Sequence, residues 1–250
     1  VSKSVFLNGQ VLHGSDRFGH WLVTQLEGWG ESPPVRVEDT ARTNQDGDHD
    51  LPVRYGARLV TIGGRVICPS ESAAQQARTR LTGLVAGKVR AQVTALGETT
   101  WADVKLADRV DAKRSGRLVR FQYQLRAPDP RRFGNSQTVA VATGSPVAVS
   151  HRGNYNAMPK FIVRGDMPGG YTITVDGWNY TVTSALVTGQ PHRIDYDNGR
   201  LYRNGVLTQG SVGIVTTTQP IPPGKSVAVG LYPFTTGSGS ADMTIIDTYI

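Results

Sequence analysis

Cysteine is nearly missing from this sequence. A single thiol, Cys68, stands in 250 residues, so no intrachain disulfide can form. A reducing site of assembly, such as a bacterial cytoplasm, is the corresponding expectation. Long apolar runs are missing as well. None approaches the ~18–20 residues that a spanning helix requires, and membrane insertion is not expected. The first ten residues, Val1 to Gln10, hold no apolar h-region, so classical secretion is not expected either. The motifs of common chemistry are also absent: no G-x-S-x-G, no H-E-x-x-H and no Walker A loop occur. The histidines, His13, His20, His49, His151 and His192, are scattered, mostly in expected loops, and bring no nucleophile or carboxylate pair with them. Cys68, just before Pro69, reads as a buried thiol rather than a nucleophile. The chain therefore reads as a non-enzyme with no catalytic residues, no metal and no cofactor.

What is present points to two domains. A length of 250 residues exceeds a typical single domain, and 38% hydrophobic residues suffice for real cores. The net charge of +7 is uneven. Residues 1–133 carry 20 Lys and Arg against 14 Asp and Glu, while residues 134–250 carry 7 against 6 and contain no glutamate. The composition shifts at Leu125 to Gly134, L-R-A-P-D-P-R-R-F-G. A strand precedes it, with Val119, Phe121, Tyr123 and Leu125 on one face and Arg120, Gln122, Gln124 and Arg126 on the other. Pro128 and Pro130 end that strand and stiffen the connector. The boundaries follow as 1–133 and 134–250.

The first domain reads as α+β, an antiparallel sheet with one helix. Asn8-Gly9 within Val5–Leu12 predicts a hairpin. Trp21–Leu26 and Val35–Val37 are further strand candidates, and Tyr55–Cys68 is one or two strands with Gly63-Gly64 as a turn or bulge. The helix spans Pro69–Leu84. Ser72 and Gln75 match a capping box, with Ser70 a rival N-cap, and Gly83 is a left-handed stop. Val89–Ala95 and Thr99–Ala107 are strands, with Trp101 an expected core anchor. Asp108–Gly116 is a charged connection ending in a hairpin turn. The second domain is all β. Asp176-Gly177 and Asn204-Gly205 mark tight hairpins, and eight or nine short strands between turn residues predict a β-sandwich.

Several stretches taken together resemble the distal tail proteins of long-tailed, non-contractile bacteriophages. E-G-W-G-E-S-P-P-V-R-V-E-D and Y-G-A-R-L-V-T-I-G-G-R-V resemble the belt half of such proteins from phages of actinobacteria. G-N-Y-N-A-M-P-K-F-I-V, D-G-W-N-Y-T-V, H-R-I-D-Y, R-N-G-V and I-P-P-G-K-S-V-A-V follow in the order of the C-terminal half. The resemblance implies a mainly β chain: an N-terminal belt domain and a C-terminal galectin-like β-sandwich. It further implies a structural virion protein at the distal end of the tail, assembled in the host cytoplasm. Six copies would form a ring that joins the tail tube protein to the tail-tip hub protein and leaves a channel for DNA. No long insertion interrupts Tyr171–Leu207, so the extra carbohydrate-binding modules of some relatives are missing.

Four smaller groups of residues invite other chemistry. Asp46, Asp48 and Asp50 have the i, i+2, i+4 spacing of a calcium loop, with His49 beside them. Leu51 and Ala57, however, stand where an EF-hand needs Gly and Glu, so an ordinary acidic loop is expected. Lys113, Arg114, Arg117, Arg120, Arg126, Arg131 and Arg132 could meet DNA. Their mixture with acids favours contacts to subunits or other tail proteins, with no specific nucleic-acid binding. Trp178, Asn179, Tyr180 and Arg193 could form a carbohydrate-binding surface for a host glycan, the alternative reading of this chain as an attachment protein. Trp178 and Tyr180 share a strand face, which is more often turned to the core. Paired carboxylates for a hydrolase, with Asp195 and Asp197 as candidates, cannot be recognised from their spacing.

Overall fold

A computed structural model of the chain describes residues 4–36, 42–46, 49, 52–208 and 218–250. It is mainly β with one helix, and its backbone separates into two compact units. The first comprises Val1–Arg132 with Ile250, and the second Phe133–Tyr249.

The first unit runs β1 (Ser4–Leu7), β2 (Gln10–Val11), β3 (Gly14–Asp16), β4 (Gly19–Glu27), β5 (Val35–Arg36), β6 (Arg54–Tyr55) and β7 (Arg58–Ile67). Then come α1 (Glu71–Gly83), β8 (Val89–Ala95), β9 (Glu98–Leu106), β10 (Asp111–Ser115) and β11 (Leu118–Ala127). Its sheet follows the order β2-β1-β8-β9-β11-β7-β4-β3, with β10 also on β11, and β5 pairs β6 separately. All of these pairings are antiparallel. The alternation along β11 is as read. Val119, Phe121, Tyr123 and Leu125 are buried, while Arg120, Gln122, Gln124 and Arg126 are exposed. The buried side joins Trp21, Val60, Ile62, Ala74, Ala77 and Leu81 in one core, and α1 lies against β7, β10 and β11.

Four local expectations for this unit are corrected. Gly63 and Gly64 form no turn; β7 is continuous across them, and the bulge lies opposite, between Val23 and Gln25 of β4. A Cβ at Gly64 would stand 2.5 Å from the Leu22 carbonyl oxygen and 2.7 Å from Phe121 Cζ, so the glycine admits the bulged neighbour and the ring. Ser70, not Ser72, caps α1: its hydroxyl accepts the N–H of Ala73 at 3.1 Å. The helix ends without a left-handed Gly83, because tertiary donors replace the turn. The Tyr123 hydroxyl donates to the Leu81 carbonyl at 2.7 Å and the Asn8 amide to that of Leu84 at 3.0 Å, satisfying groups a glycine cap would otherwise serve. Trp101 is half-buried on the face away from the core, with the Arg90 guanidinium 3.7 Å above its ring. Trp21 and Trp29 are the buried indoles instead.

The second unit runs β12 (Arg132–Ala142), β13 (Val147–Val149), β14 (Lys160–Asp166), β15 (Tyr171–Val175), β16 (Trp178–Val182) and β17 (His192–Asp195). It continues with β18 (Arg200–Arg203), β19 (Val206–Leu207), β20 (Val227–Pro233) and β21 (Ser238–Tyr249). One sheet follows β19-β18-β17-β14-β21-β12, the other β13-β20-β15-β16. Their apolar sides, Phe161, Val163, Ile194 and Met243 from the first and Tyr171, Ile173, Tyr180 and Val229 from the second, share one core, making a β-sandwich. The hairpins at Asn8-Gly9, Asp176-Gly177 and Asn204-Gly205 all have positive φ at both turn residues, as their sequences predict. A further such turn at Leu96-Gly97 carries no Asn or Asp to announce it.

Candidate functional site

The four residues singled out for carbohydrate do not converge. Trp178 opens β16 and is 47% exposed. Tyr180, two residues on, is fully buried and donates its hydroxyl to the Gly199 carbonyl at 2.9 Å; burial pushes its phenol up to about 12. The shared face is therefore buried at Tyr180 and runs out of the sandwich at Trp178. Asn179 points to the opposite, outer side of β16. Arg193 lies on β17 of the other sheet, exposed between buried His192 and Ile194, with its guanidinium 4.2 Å from the Tyr202 ring centroid.

A different polar cleft, of about 450 Å3, opens in the same unit between Asn135, Gln137, Ser150, His151, Arg152 and Asp247. It is held by the loop after β13. Asp247, near the end of β21, is only 7% exposed, and one of its carboxylate oxygens accepts the Arg152 N–H at 2.8 Å. Gly153 sits so tightly on β21 that a Cβ would fall 1.9 Å from the Thr248 carbonyl oxygen. The Tyr155 N–H donates to that same carbonyl at 3.0 Å. His151 is buried and spent on the loop itself. Its Nδ1 accepts the Gly153 N–H, so Nε2 carries the proton that faces the Ile221 carbonyl, each at 3.1 Å. The Gln137 side-chain amide donates to the Ser150 carbonyl. Nothing local in the stretch 151–159 reveals that it folds onto a carboxylate some hundred residues away.

The basic run dissolves into separate environments. Lys113 faces Asp111 at 3.1 Å, Arg114 reaches Glu71 of α1, and Arg131 is clamped by Asp129. Arg120 and Arg126 stay exposed on the outer face of β11. Arg120 stands opposite Arg65 and Lys113, and Arg126 opposite Lys105. One cation that the sequence did not mark is Arg58, buried at the start of β7. Its guanidinium donates to the carbonyls of Gly28, Trp29, Glu31 and Pro130 at 2.6–3.2 Å. Burial, reinforced by Arg132, lowers its pKa to about 10, which leaves it charged at neutral pH.

Groups that could support bond-breaking chemistry are dispersed. Asp195 faces Lys160 at 4.0 Å and accepts the Asp197 N–H. Cys68 is buried, and burial followed by nearby Asp16 pushes its thiol up. Among the described residues no three His, Cys, Asp or Glu side chains come together. Asp46 and His49 are exposed, and Asp48 and Asp50 lie outside the described residues, as does Val37 of the expected strand. No described helix is long and apolar enough to cross a membrane.

No family model and no curated protein matches this sequence. Solved structures do match it. The Dit protein of phage SPP1, described as a paradigm of the hub adsorption apparatus in phages that infect Gram-positive bacteria, superposes with a TM-score of 0.73. The match covers 100% of both chains at 14% identity. The chain has the fold of SPP1 Dit. A component of the phage p2 baseplate, in activated conformations with strontium or calcium, is similar at a TM-score of 0.54 and 8% identity. These matches cover 98–99% of this chain and 98% of the other. The Dit likeness therefore takes in both units, one after the other and without a large insertion.

Proposed function

We propose that this chain is a structural, non-enzymatic protein of the distal end of a phage tail. Copies associate through the first unit into a ring that joins the tail tube to the tip hub and leaves a passage for DNA. The observation that carries this reading is the full-length fold match to the SPP1 Dit hub protein. The second unit is a galectin-like sandwich in this reading, standing outside the ring.

The surface of the first unit supports an assembling role. On the outer face of β7, Leu59 and Ile67 are 59% and 54% exposed. Beside them the Arg65–Arg120–Lys113 row and the Arg126–Lys105 pair set like charges directly across neighbouring strands. Such pairs weaken an isolated sheet, and exposed aliphatics gain nothing from water. A partner that covers the aliphatics and neutralises the cations removes both costs. Ring closure from heterologous contacts then sets the copy number.

Electron microscopy of the purified full-length protein, with antibody labelling of the intact phage, tests the reading. Closed rings and label confined to the tail tip are expected. A protein that stays monomeric alone and with tail tubes, together with label elsewhere or none on the particle, refutes it.

A further inference from the structure

We propose that the cleft between Asp247 and Arg152 binds a sugar acid, a hydroxylated ring carrying one carboxylate. The cleft is built rather than incidental. Asp247 is more than nine-tenths buried, yet only one of its oxygens is engaged, by a backbone N–H that the loop cannot move away. The second oxygen faces the cleft as an acceptor, which suits the paired donors of neighbouring hydroxyls. A hydroxyl that donates to it would take the place of water there.

The other walls complete the recognition. The Arg152 guanidinium is exposed and has no acidic partner among the described residues, so it can take a ligand carboxylate in its fork. The Gln137 amide gives one N–H to the Ser150 carbonyl and keeps its second N–H to donate and its oxygen to accept, while Asn135 and the Ser150 hydroxyl can also donate or accept. The cleft thus offers one guanidinium and several groups that donate or accept, in a volume of about 450 Å3. No aliphatic, phenyl or indole side chain lines it, which argues against an apolar ligand. One carboxylate, beside a His151 ring whose two nitrogens are already engaged, does not make a metal site. The inference stands apart from the tail-tip reading, since a single protomer supplies every group.

The test is a titration of 15N-labelled full-length protein with galacturonate, galactose and acetate, read by amide chemical shifts. Galacturonate should shift the Arg152 and Gly153 amides and the Asn135 and Gln137 side-chain amides in a saturable way. Galactose should act several-fold more weakly and acetate hardly at all. Arg152→Ala should erase the preference for galacturonate over galactose. Asp247→Asn, whose amide oxygen can still accept the Arg152 N–H, should weaken galacturonate several-fold while the remaining spectrum stays native. No saturable shift with galacturonate overturns the proposal. So do equal responses to galacturonate and acetate, equal responses to galacturonate and galactose, or an unchanged response in Arg152→Ala, which lies on the surface and leaves the fold alone.

Discussion

The buried His192 should make the second unit sensitive to mild acid. His192 is fully buried, its Nδ1 lies 3.0 Å from the Tyr171 hydroxyl, and its Nε2 has no partner among the described residues. Burial first, and the nearby Arg203 second, lower its pKa from 6.5 to about 4. A base whose pKa is depressed in the folded state binds protons more tightly when unfolded. Its contribution to stability is therefore complete above pH 6.5 and is lost as the pH falls towards 4. With those two values the loss amounts to about 2.5 kcal/mol by about pH 4.5, growing at ~1.4 kcal/mol per pH unit through the middle of the range. The assay is urea unfolding at a series of pH values, followed by the near-ultraviolet circular dichroism of buried Tyr171, Tyr180 and Tyr196. His192→Leu with Tyr171→Phe removes the titrating group and its hydroxyl partner together, so neither is left unpaired. The difference in stability between wild type and this double variant should change by about 2.5 kcal/mol between neutral pH and about pH 4.5, and carboxylates common to both proteins cancel. A difference that stays constant across that window refutes the reasoning.

Other predictions concern the first unit. Arg58→Ala strips the carbonyls of Gly28, Trp29, Glu31 and Pro130 of their shared donor and should cost about 3–5 kcal/mol in thermal or urea unfolding. Arg58→Lys should recover only part of that, since an ammonium cannot span four carbonyls as a guanidinium does. Ser70→Ala should cost about 1 kcal/mol, and Ser72→Ala much less, because only Ser70 caps α1. Gly64→Ala should destabilise by about 1–3 kcal/mol, as its methyl would press on the Leu22 carbonyl and the Phe121 ring. An unchanged midpoint would mean that the β4 bulge yields freely.

Sequence was most legible where the backbone responds to its immediate neighbours. Alternation along Leu118–Ala127 identified both faces of β11, since a strand turns every second side chain to the same side. Asn-Gly and Asp-Gly located three hairpins, because few residue pairs tolerate two successive positive φ angles. The helix was legible, but its ends were not. Ser70 and Ser72 are chemically equal candidates, and the end of α1 is completed by Asn8 and Tyr123 from strands distant in sequence. Trp101 and Trp178 were misread because a large aromatic on a strand favours burial in general; the neighbouring strands put the core on the other side of Trp101, and the sandwich ends short of Trp178 although its face is the core-side one. The polar cleft left no local signal, since Asp247 and Arg152 meet only after β21 and the loop following β13 are brought together.

By itself, then, the sequence determined a mainly β chain with one helix and the turns that cut it into strands. These follow from φ preferences and side-chain alternation, which act over a few residues. Only the tertiary structure decided that Arg58 is buried under four carbonyls, that Tyr180 is covered while Trp178 on the same face is not, and that Asp247 keeps one oxygen open. Burial and desolvation belong to the surroundings of a group, and those surroundings are assembled from strands far apart along the chain.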